Sequence, residues 1–126
     1  MNIIIAGSRV YDNYRTLKRV CDEVIEKTDI GEDPITIICG CAHGADALGD
    51  RYGYDNRYEI KYFKADWEKY GKGAGPMRNR QMAEVGDMLI AFPIGKSKGT
   101  LNMVKEAMKR KLKVYVYEKD NLMESK

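Results

Sequence analysis

A short run of apolar, β-branched residues recurs along the chain, and this recurrence restricts the possible folds. Residues 2–6, 35–39 and 88–92 are runs of this kind, and each ends close to a glycine or a proline. Their length and continuous apolarity are typical of parallel strands buried on both faces. Two further runs, 59–63 and 113–117, extend the pattern, and the alternation in the first of these predicts an edge strand. The sequence therefore predicts about five strands.

Helical periodicity separates these strands. Leu17, Val20 and Val24, for example, recur at the spacing of one buried helical face. Since strands that alternate with helices require parallel crossover connections, the predicted fold class is α/β, a three-layer Rossmann-like fold with a mainly parallel sheet of about five strands. A chain of 126 residues is expected to form one domain. We assign this domain to residues 1–118 and expect a short polar tail at 119–126.

The loops that follow four of the predicted strands are rich in glycine, hydroxyl and charged residues. They comprise residues 7–9, 40–44, 65–67 and 95–100. In an open parallel sheet the carboxyl ends of the strands lie along one edge, and ligands bind at that edge. Four such loops at one edge favour a shared site over four unrelated turns.

The stretch 87–104 is the most informative of these segments, because it reads as a strand, a loop and a helix. Its loop places backbone N–H groups, hydroxyls and lysines at a helix N-terminus. The helix dipole and the unpaired N–H groups favour an anion such as phosphate there. The alternative is an ordinary strand-to-helix turn in which Thr100 caps the helix.

Several other residues have both a functional and a structural interpretation. Arg9 is suited to binding phosphate, or else is a solvated arginine at a turn. Arg78 opens a helix and is suited to the same role, or else to forming surface salt bridges. Asp46 either accepts hydrogen bonds from a ribose or complements the dipole of the helix it opens. Trp67 either stacks on a base or packs. The only histidine, His43, has no partner at a catalytic spacing, so we do not assign it as a general base.

Composition limits the remaining function classes. The net charge of +3 is too small to favour nucleic-acid binding, although it leaves that function open. Cys39 and Cys41 do not have the spacing of a zinc or redox pair, so we predict reduced cysteines, no metal site and no cofactor. No apolar run approaches the ~20 residues of a membrane span, and no signal pattern begins the chain. We therefore expect a cytoplasmic protein that is not bound to a membrane.

Four segments of the chain carry a family resemblance: IAGSR, CGCAHGADALGDRYG, FKADWEKYGKGAGPMRNRQM and DMLIAFPIGKSKGTLNMV. Together they resemble the small stand-alone, YspA-like members of the SLOG superfamily, Rossmann-like proteins of bacteria and phages. The resemblance implies binding of a nucleotide or a nucleotide-derived signal. It assigns Gly7, Ser8 and Arg9 to a first loop, Gly44 and Asp46 to a second, Arg78 and Asn79 to a helix opening, and Gly99 and Thr100 to a phosphate loop.

The chain departs from the LONELY GUY phosphoribohydrolases of that superfamily at two places. They read PGGxGTxxE, whereas this chain has an insertion at residues 96–98 and Met103 at the position of the glutamate. They also read RKxxM, and Asn79 replaces the lysine here. The resemblance therefore implies that the group expected to assist cleavage of the N-glycosidic bond is missing.

Three hypotheses follow. The first is a module that binds a nucleotide or an ADP-ribose-like ligand, as a sensor or a sequestering protein. The second is an N-glycosidase acting on nucleoside monophosphates, with Asp46 or Glu84 as the acid, and the third is a single-stranded DNA-binding protein. A homo-oligomer stays open, because the tyrosines of residues 52–62 are suited to an interface. The candidate ligand-binding residues are Gly7, Ser8, Arg9, Gly40, Gly44, Asp46, Trp67, Arg78, Asn79, Gly95, Ser97, Lys98, Gly99 and Thr100.

Overall fold

A computed structural model describes residues 1–125, which form a six-stranded sheet with helices on both faces. The strands are β1 (Asn2–Gly7), β2 (Thr36–Cys39), β3 (Glu59–Tyr62), β4 (Met88–Phe92), β5 (Lys113–Glu118) and β6 (Asn121–Glu124). The helices are α1 (Tyr14–Lys27), α2 (Ala45–Asp55), α3 (Trp67–Tyr70), α4 (Ala74–Val85) and α5 (Lys98–Lys109), and a 3-10 turn covers Gly71–Gly73. The three-layer Rossmann-like prediction is confirmed.

The order of the strands determines where loops converge. The sheet runs β3-β2-β1-β4-β5-β6, with β1 to β5 parallel and β6 antiparallel to β5. The chain moves outward from β1 through β2 to β3 and then crosses to β4 on the other side of β1. Such a reversal opens a crevice between the carboxyl ends of the two central strands. The loops after β1 and β4 border this crevice.

Alternate residues of the central strand fill two separate cores. Ile3 and Ile5 face one layer of helices, where they pack with Leu17 of α1 and Tyr52 of α2. Ile4 faces the other layer, whose buried residues include Met82 and Ala83 of α4 and Met103 and Ala107 of α5. Burying one such large side chain stabilises the fold by about 1.5–3 kcal/mol. The continuous apolarity of β1 therefore reflects burial on both faces.

The sheet has one strand more than the sequence predicted, and this strand lies within the segment expected to be a polar tail. Lys119 and Asp120 have φ angles of 51° and 63°, which allow a tight hairpin turn between β5 and β6. Leu122 packs against the first core, and the backbone N–H of Val114 donates to Ser125 Oγ at 3.1 Å. Leu122 is the one partly buried residue of β6, and Met123 is 50% exposed, so the strand has only a weak apolar signal.

Two local features of the site region were not evident from the sequence. Thr100 does not cap α5, because the helix begins at Lys98 and Ser97 occupies the N-cap position. The connection 64–76 contains α3, the 3-10 turn and the start of α4. Asp66 caps α3 by accepting a hydrogen bond from the Lys69 N–H at 3.1 Å. These short helices bring residues of the connection to the crevice.

Candidate functional site

A cleft of about 530 Å³ lies at the crevice between β1 and β4. This volume is within the range of about 300–1,000 Å³ typical of small-molecule sites. Eleven of the fourteen predicted residues line it: Gly7, Ser8, Arg9, Asp46, Trp67, Arg78, Asn79, Ser97, Lys98, Gly99 and Thr100. The lining also includes Ala6, Ala42, Lys72, Gly75, Pro76, Met82, Lys96, Asn102 and Met103.

The N-terminus of α5 forms one wall of the cleft. Gly95, with a φ of 57°, turns the chain after β4 so that the helix can begin at Lys98. The first N–H groups of a helix have no carbonyl within the helix to bond, so the first turn of α5 presents donors to the cleft. The hydroxyls of Ser97 and Thr100 lie 2.6 Å apart in a mutual hydrogen bond. Both hydroxyls lie at the first turn of α5, beside its free N–H groups, where an anion is favoured.

Arg78 and Asn79 connect three of the loops that surround the cleft. Arg78 donates from Nη1 to the carbonyl of Gly40 and from Nε to Asn79 Oδ1 at 3.0 Å. Asn79, which is only 4% exposed, donates from Nδ2 to Gly99 O at 3.3 Å and to Asn102 Oδ1 at 2.8 Å. The loop after β2 is thereby linked through α4 to the first turn of α5. Two N–H donors of Arg78 are thus bonded to other residues of the protein. The sequence did not indicate these hydrogen bonds.

Asp46 places a buried carboxylate in the cleft. It is 5% exposed, and its Oδ2 accepts a hydrogen bond from the Ala42 N–H at 3.2 Å. Burial raises the pKa of Asp46, and the Ala42 hydrogen bond and the charges of Arg78 and Arg9 oppose that increase. Within residues 1–125 the other oxygen, Oδ1, accepts no protein hydrogen bond. This oxygen is available to a donor group in the cleft.

Trp67 and Arg9 form the outer rim of the cleft. The guanidinium carbon of Arg9 lies 5.6 Å from the centre of the Trp67 ring, which is the geometry of a cation–π contact. Trp67 remains 49% exposed, and a Cβ atom on Gly75 would lie 3.2 Å from its ring. The indole therefore packs on α4 along one edge, and part of its ring is still open to a planar group.

Three predicted glycines do not line the cleft. A Cβ atom on Gly44, whose φ is 73°, would lie 2.3 Å from Ser8 O, and one on Gly40 would lie 2.7 Å from Asp46 Oδ2. Gly44 allows the loops after β1 and β2 to approach each other closely, and Gly40 leaves room for the side chains of Asp46 and Arg78. Gly95 shapes the turn before α5. By contrast, a Cβ on Gly99 would meet no atom within 4 Å, because Gly99 faces open space.

The lining of this cleft has an excess of positive charge. Within residues 1–125, five cationic side chains line it, against the single carboxylate of Asp46. The cations are Arg9, Lys72, Arg78, Lys96 and Lys98. Lys72 was missed because it belongs to a connection that reads as a polar loop. Asn102 was missed because no sequence pattern connects it with Asn79, whose side chain donates a hydrogen bond to it.

Other residues considered for catalysis lie elsewhere. Glu84 does not line the cleft, and its carboxylate lies 3.5 Å from Arg110 in a salt bridge. His43 is exposed and outside the cleft lining, whereas Met103 is buried and lines the cleft. In the described part of the chain, no three histidine, cysteine or acidic residues come together as metal ligands. Cys21, Cys39 and Cys41 are free thiols.

The sheet order and the cationic cleft at its reversal point define a Rossmann-like α/β protein. The chain belongs to the YspA, cpYpsA-related SLOG family, whose model matches residues 1–70. It is 34% identical over 113 residues to the Gene 61 protein of Mycobacterium phage D29. This match covers 85% of this chain and 88% of that protein. The predicted resemblance to the SLOG superfamily is thus confirmed.

The fold is also similar to a solved structure, that of DNA processing protein A (DprA) from Streptococcus pneumoniae. The TM-score is 0.68 at 16% sequence identity, and the match covers 91% of this chain. It covers 49% of the DprA chain, so this protein spans about half the length of that structure. At this identity the similarity concerns the fold. The family fits binding of a nucleotide or a nucleic acid.

None of the helices within residues 1–125 combines the length and the apolar character that crossing a bilayer requires.

Proposed function

We propose that this protein binds a nucleotide or a nucleotide-derived, ADP-ribose-like ligand at the carboxyl edge of its sheet, as a sensor or a sequestering module. One observation carries the proposal: five cationic side chains and the first turn of a helix converge on one cleft within residues 1–125. A cleft of this size with such an excess of positive charge favours a small anionic ligand over a neutral one.

The arrangement of the lining indicates how such a ligand would lie. Its phosphate would accept hydrogen bonds from the N–H groups of Gly99 and Thr100, with Lys96 and Lys98 nearby. Charge-assisted hydrogen bonds of this kind contribute about 1.5–3 kcal/mol each. Asp46 Oδ1 would accept a bond from a sugar hydroxyl, and the open part of the Trp67 ring would stack on the base. Arg78 would contribute its charge while it holds the surrounding loops.

Calorimetric titration with AMP, ADP and ADP-ribose tests this proposal, and native mass spectrometry of the purified protein identifies a ligand that co-purifies. We expect at least one nucleotide to bind and Thr100→Ala to weaken it, because the variant loses a hydroxyl beside the phosphate. Unchanged affinity in Thr100→Ala would contradict this site. Lys105→Ala is the matched control, since Lys105 is exposed on α5 and outside the cleft lining.

An N-glycosidase is the second candidate, and Asp46 is the observation that favours it. A buried carboxyl group whose pKa is raised is suited to act as a general acid. Glu84 is a weaker candidate because it is paired with Arg110 outside the cleft lining. Incubation with AMP, CMP or NAD followed by chromatography separates the two functions. A binding module releases no free base, whereas a glycosidase does and loses this activity in Asp46→Asn.

Binding of single-stranded DNA is the third candidate, favoured by the fold that the chain shares with DNA processing protein A and by the cationic cleft. A protein that neutralises several phosphates loses affinity steeply as salt rises. Titration of a fluorescent oligonucleotide at increasing salt measures this dependence. A steep decrease in affinity would support this candidate, and no binding at low salt would exclude it.

A further inference from the structure

The outer side of β3 is a free edge of the sheet within residues 1–125, and exposed tyrosines flank it. Tyr54 is 79% exposed and Tyr62 is 58% exposed. A shallow groove follows this edge and is lined by Tyr54, Asp55, Arg57, Tyr58, Ile60 and Tyr62. Edge strands usually carry features that prevent pairing, because their N–H and C=O groups are ready to bond another strand.

The sequence at this edge is complementary to itself in the antiparallel direction. Residues 58–62 read Tyr-Glu-Ile-Lys-Tyr. When two copies pair around a two-fold axis at Ile60, Glu59 of one copy lies opposite Lys61 of the other. Ile60 then lies opposite its own equivalent, and Tyr58 lies opposite Tyr62. Cross-strand pairs of opposite charges and of aromatic rings are among those that stabilise antiparallel sheets.

The backbone is oriented for this pairing. Phe63 donates its N–H to Cys39 O at 2.8 Å, toward the neighbouring strand β2. Because successive residues of a strand point their polar groups to opposite sides, the N–H and C=O of Ile60 and Tyr62 point to the free edge. The two Ile60 residues would then exchange both hydrogen bonds. Glu59 and Lys61 would occupy the pair without hydrogen bonds, in which side chains approach more closely.

The aromatic and the charged side chains of β3 lie on opposite faces of the sheet. Tyr58, Ile60 and Tyr62 share the face covered by α2, where Tyr62 Oη donates to Asp50 Oδ1 at 2.7 Å. Glu59 and Lys61 are exposed on the opposite face. The charge pairs and the aromatic pairs therefore form on different faces of the joined sheet.

The charges also select this register over its neighbours. A shift of two residues in either direction places Glu59 opposite Glu59 or Lys61 opposite Lys61, and a parallel pairing in register does both. A shift of one residue turns each side chain to the wrong face. A two-fold pairing is closed, because each copy contributes the same β3 edge and that edge is then fully paired. The same charges that oppose open-ended aggregation thus permit one dimer.

We propose that this protein forms a homodimer through antiparallel pairing of its β3 strands around Ile60, which joins the two sheets into one. The surface is separate from the cleft, so the proposal does not depend on the proposed function. The occupant is a second copy of this chain, since the complementarity lies within residues 58–62 themselves.

Sedimentation velocity over a range of protein concentrations tests the dimer, and charge reversal tests its register. We expect the wild type to reach twice the 14.4 kDa of one chain. Lys61→Glu alone and Glu59→Lys alone each place like charges opposite at two symmetric positions, and we expect each to weaken dimerisation by about tenfold or more. An equimolar mixture of the two variants restores every opposite-charge pair, so it should form a heterodimer, and the double reversal E59K/K61E should dimerise like the wild type.

Lys105→Glu is the control, since it reverses an exposed charge on α5 and should leave the dimer unchanged. Circular dichroism verifies that each variant is folded. A wild type that stays monomeric at submillimolar concentration would overturn the proposal. Dimers that persist equally in both single variants, or single variants whose mixture does not associate, would also overturn it, because each result contradicts the pairing of Glu59 with Lys61.

Discussion

At the scale of single residues, Asp46 connects the chemistry of the cleft to the stability of the fold. Its carboxyl group is buried beside the charges of Arg78 and Arg9, and the net effect is a raised pKa. A carboxyl group with a raised pKa holds its proton more tightly in the folded state than in the unfolded chain, where Asp titrates near about 3.9. Its ionisation therefore opposes folding.

This shift predicts a dependence of stability on pH. As pH rises from about 3.9 through the raised pKa of Asp46, the wild type should lose stability relative to Asp46→Asn, whose amide does not titrate. Urea unfolding of both proteins across this range measures the difference in the free energy of unfolding. Above the raised pKa the difference should become constant. A difference that stays constant from acid to neutral pH, or that favours the wild type as pH rises, would contradict the burial of this carboxyl group.

Two glycines should respond in opposite ways to the same substitution. Gly44→Ala should lower the free energy of unfolding by about 2–4 kcal/mol, because its φ of 73° is strained for alanine and its Cβ would meet Ser8 O. Gly99→Ala should keep the stability of the wild type, since nothing lies near its Cβ position, yet it should weaken nucleotide binding by narrowing the cleft. Urea unfolding and calorimetry of the pair measure both effects. Equal stability losses in the two variants would contradict the placement of these loops.

At the scale of elements, the contact between α4 and α5 determines the shape of the cleft. Asn79 is the buried connection, since it bonds Arg78 on its own helix and both Gly99 and Asn102 on α5. Removing one partner of a buried hydrogen bond costs about 1–3 kcal/mol, because the other partner stays unsatisfied. The first turn of α5 depends on this connection for its position.

Asn79→Ala should therefore destabilise the fold by about 1–3 kcal/mol and weaken nucleotide binding, because Asn102 Oδ1 and Arg78 Nε lose their partner. Gln81→Ala, on an exposed position of the same helix, is the matched control and should change neither property. Urea unfolding gives the stability change, and calorimetry gives the affinity. A fully stable Asn79→Ala variant would contradict the proposed role of this side chain.

Elements of the fold with strong local patterns could be predicted from the sequence, whereas connections could not. The runs at β1 and β4 are apolar throughout because both faces are buried, and this signal needs no knowledge of tertiary contacts. The hairpin to β6 depends on two residues with positive φ and on the packing of Leu122, which local composition does not reveal. The short helix α3 is likewise stabilised by one N-cap hydrogen bond, and it has no buried residue.

The residues of the candidate site divide in the same way, into those with a local sequence pattern and those placed by tertiary contacts. The first turn of α5 was predicted because glycine, serine and lysine follow directly after a buried strand. The role of Arg78 was not, because its hydrogen bond to Gly40 O joins residues separated by 38 positions. Gly40 and Gly44 were predicted as ligand contacts, whereas Gly44 packs against the loop after β1 and Gly40 lies against the side chains of Asp46 and Arg78. A glycine-rich loop in a sequence does not distinguish these two uses.

At the scale of the whole molecule, the order of the strands explains why one cleft collects most of the charged loops. The chain reverses direction across the sheet between β3 and β4, so the loops after β1 and β4 diverge and leave a crevice. The net charge of the chain is only +3, yet the crevice lining, as far as residues 1–125 describe it, carries five cations and one carboxylate. Local concentration of charge, rather than the total, is what the proposed function requires.

The proposed function depends on the claim that this cleft recognises a phosphate, and calorimetric titration of AMP against adenosine measures that recognition. Wild type should bind AMP at least about tenfold more tightly than adenosine, since one charge-assisted contact contributes about 1.5–3 kcal/mol. This ratio should fall toward one in the double variant K96A/K98A and stay unchanged in Lys105→Ala. Equal affinities of the wild type for AMP and adenosine, or a ratio that survives the loss of both lysines, would contradict the claim.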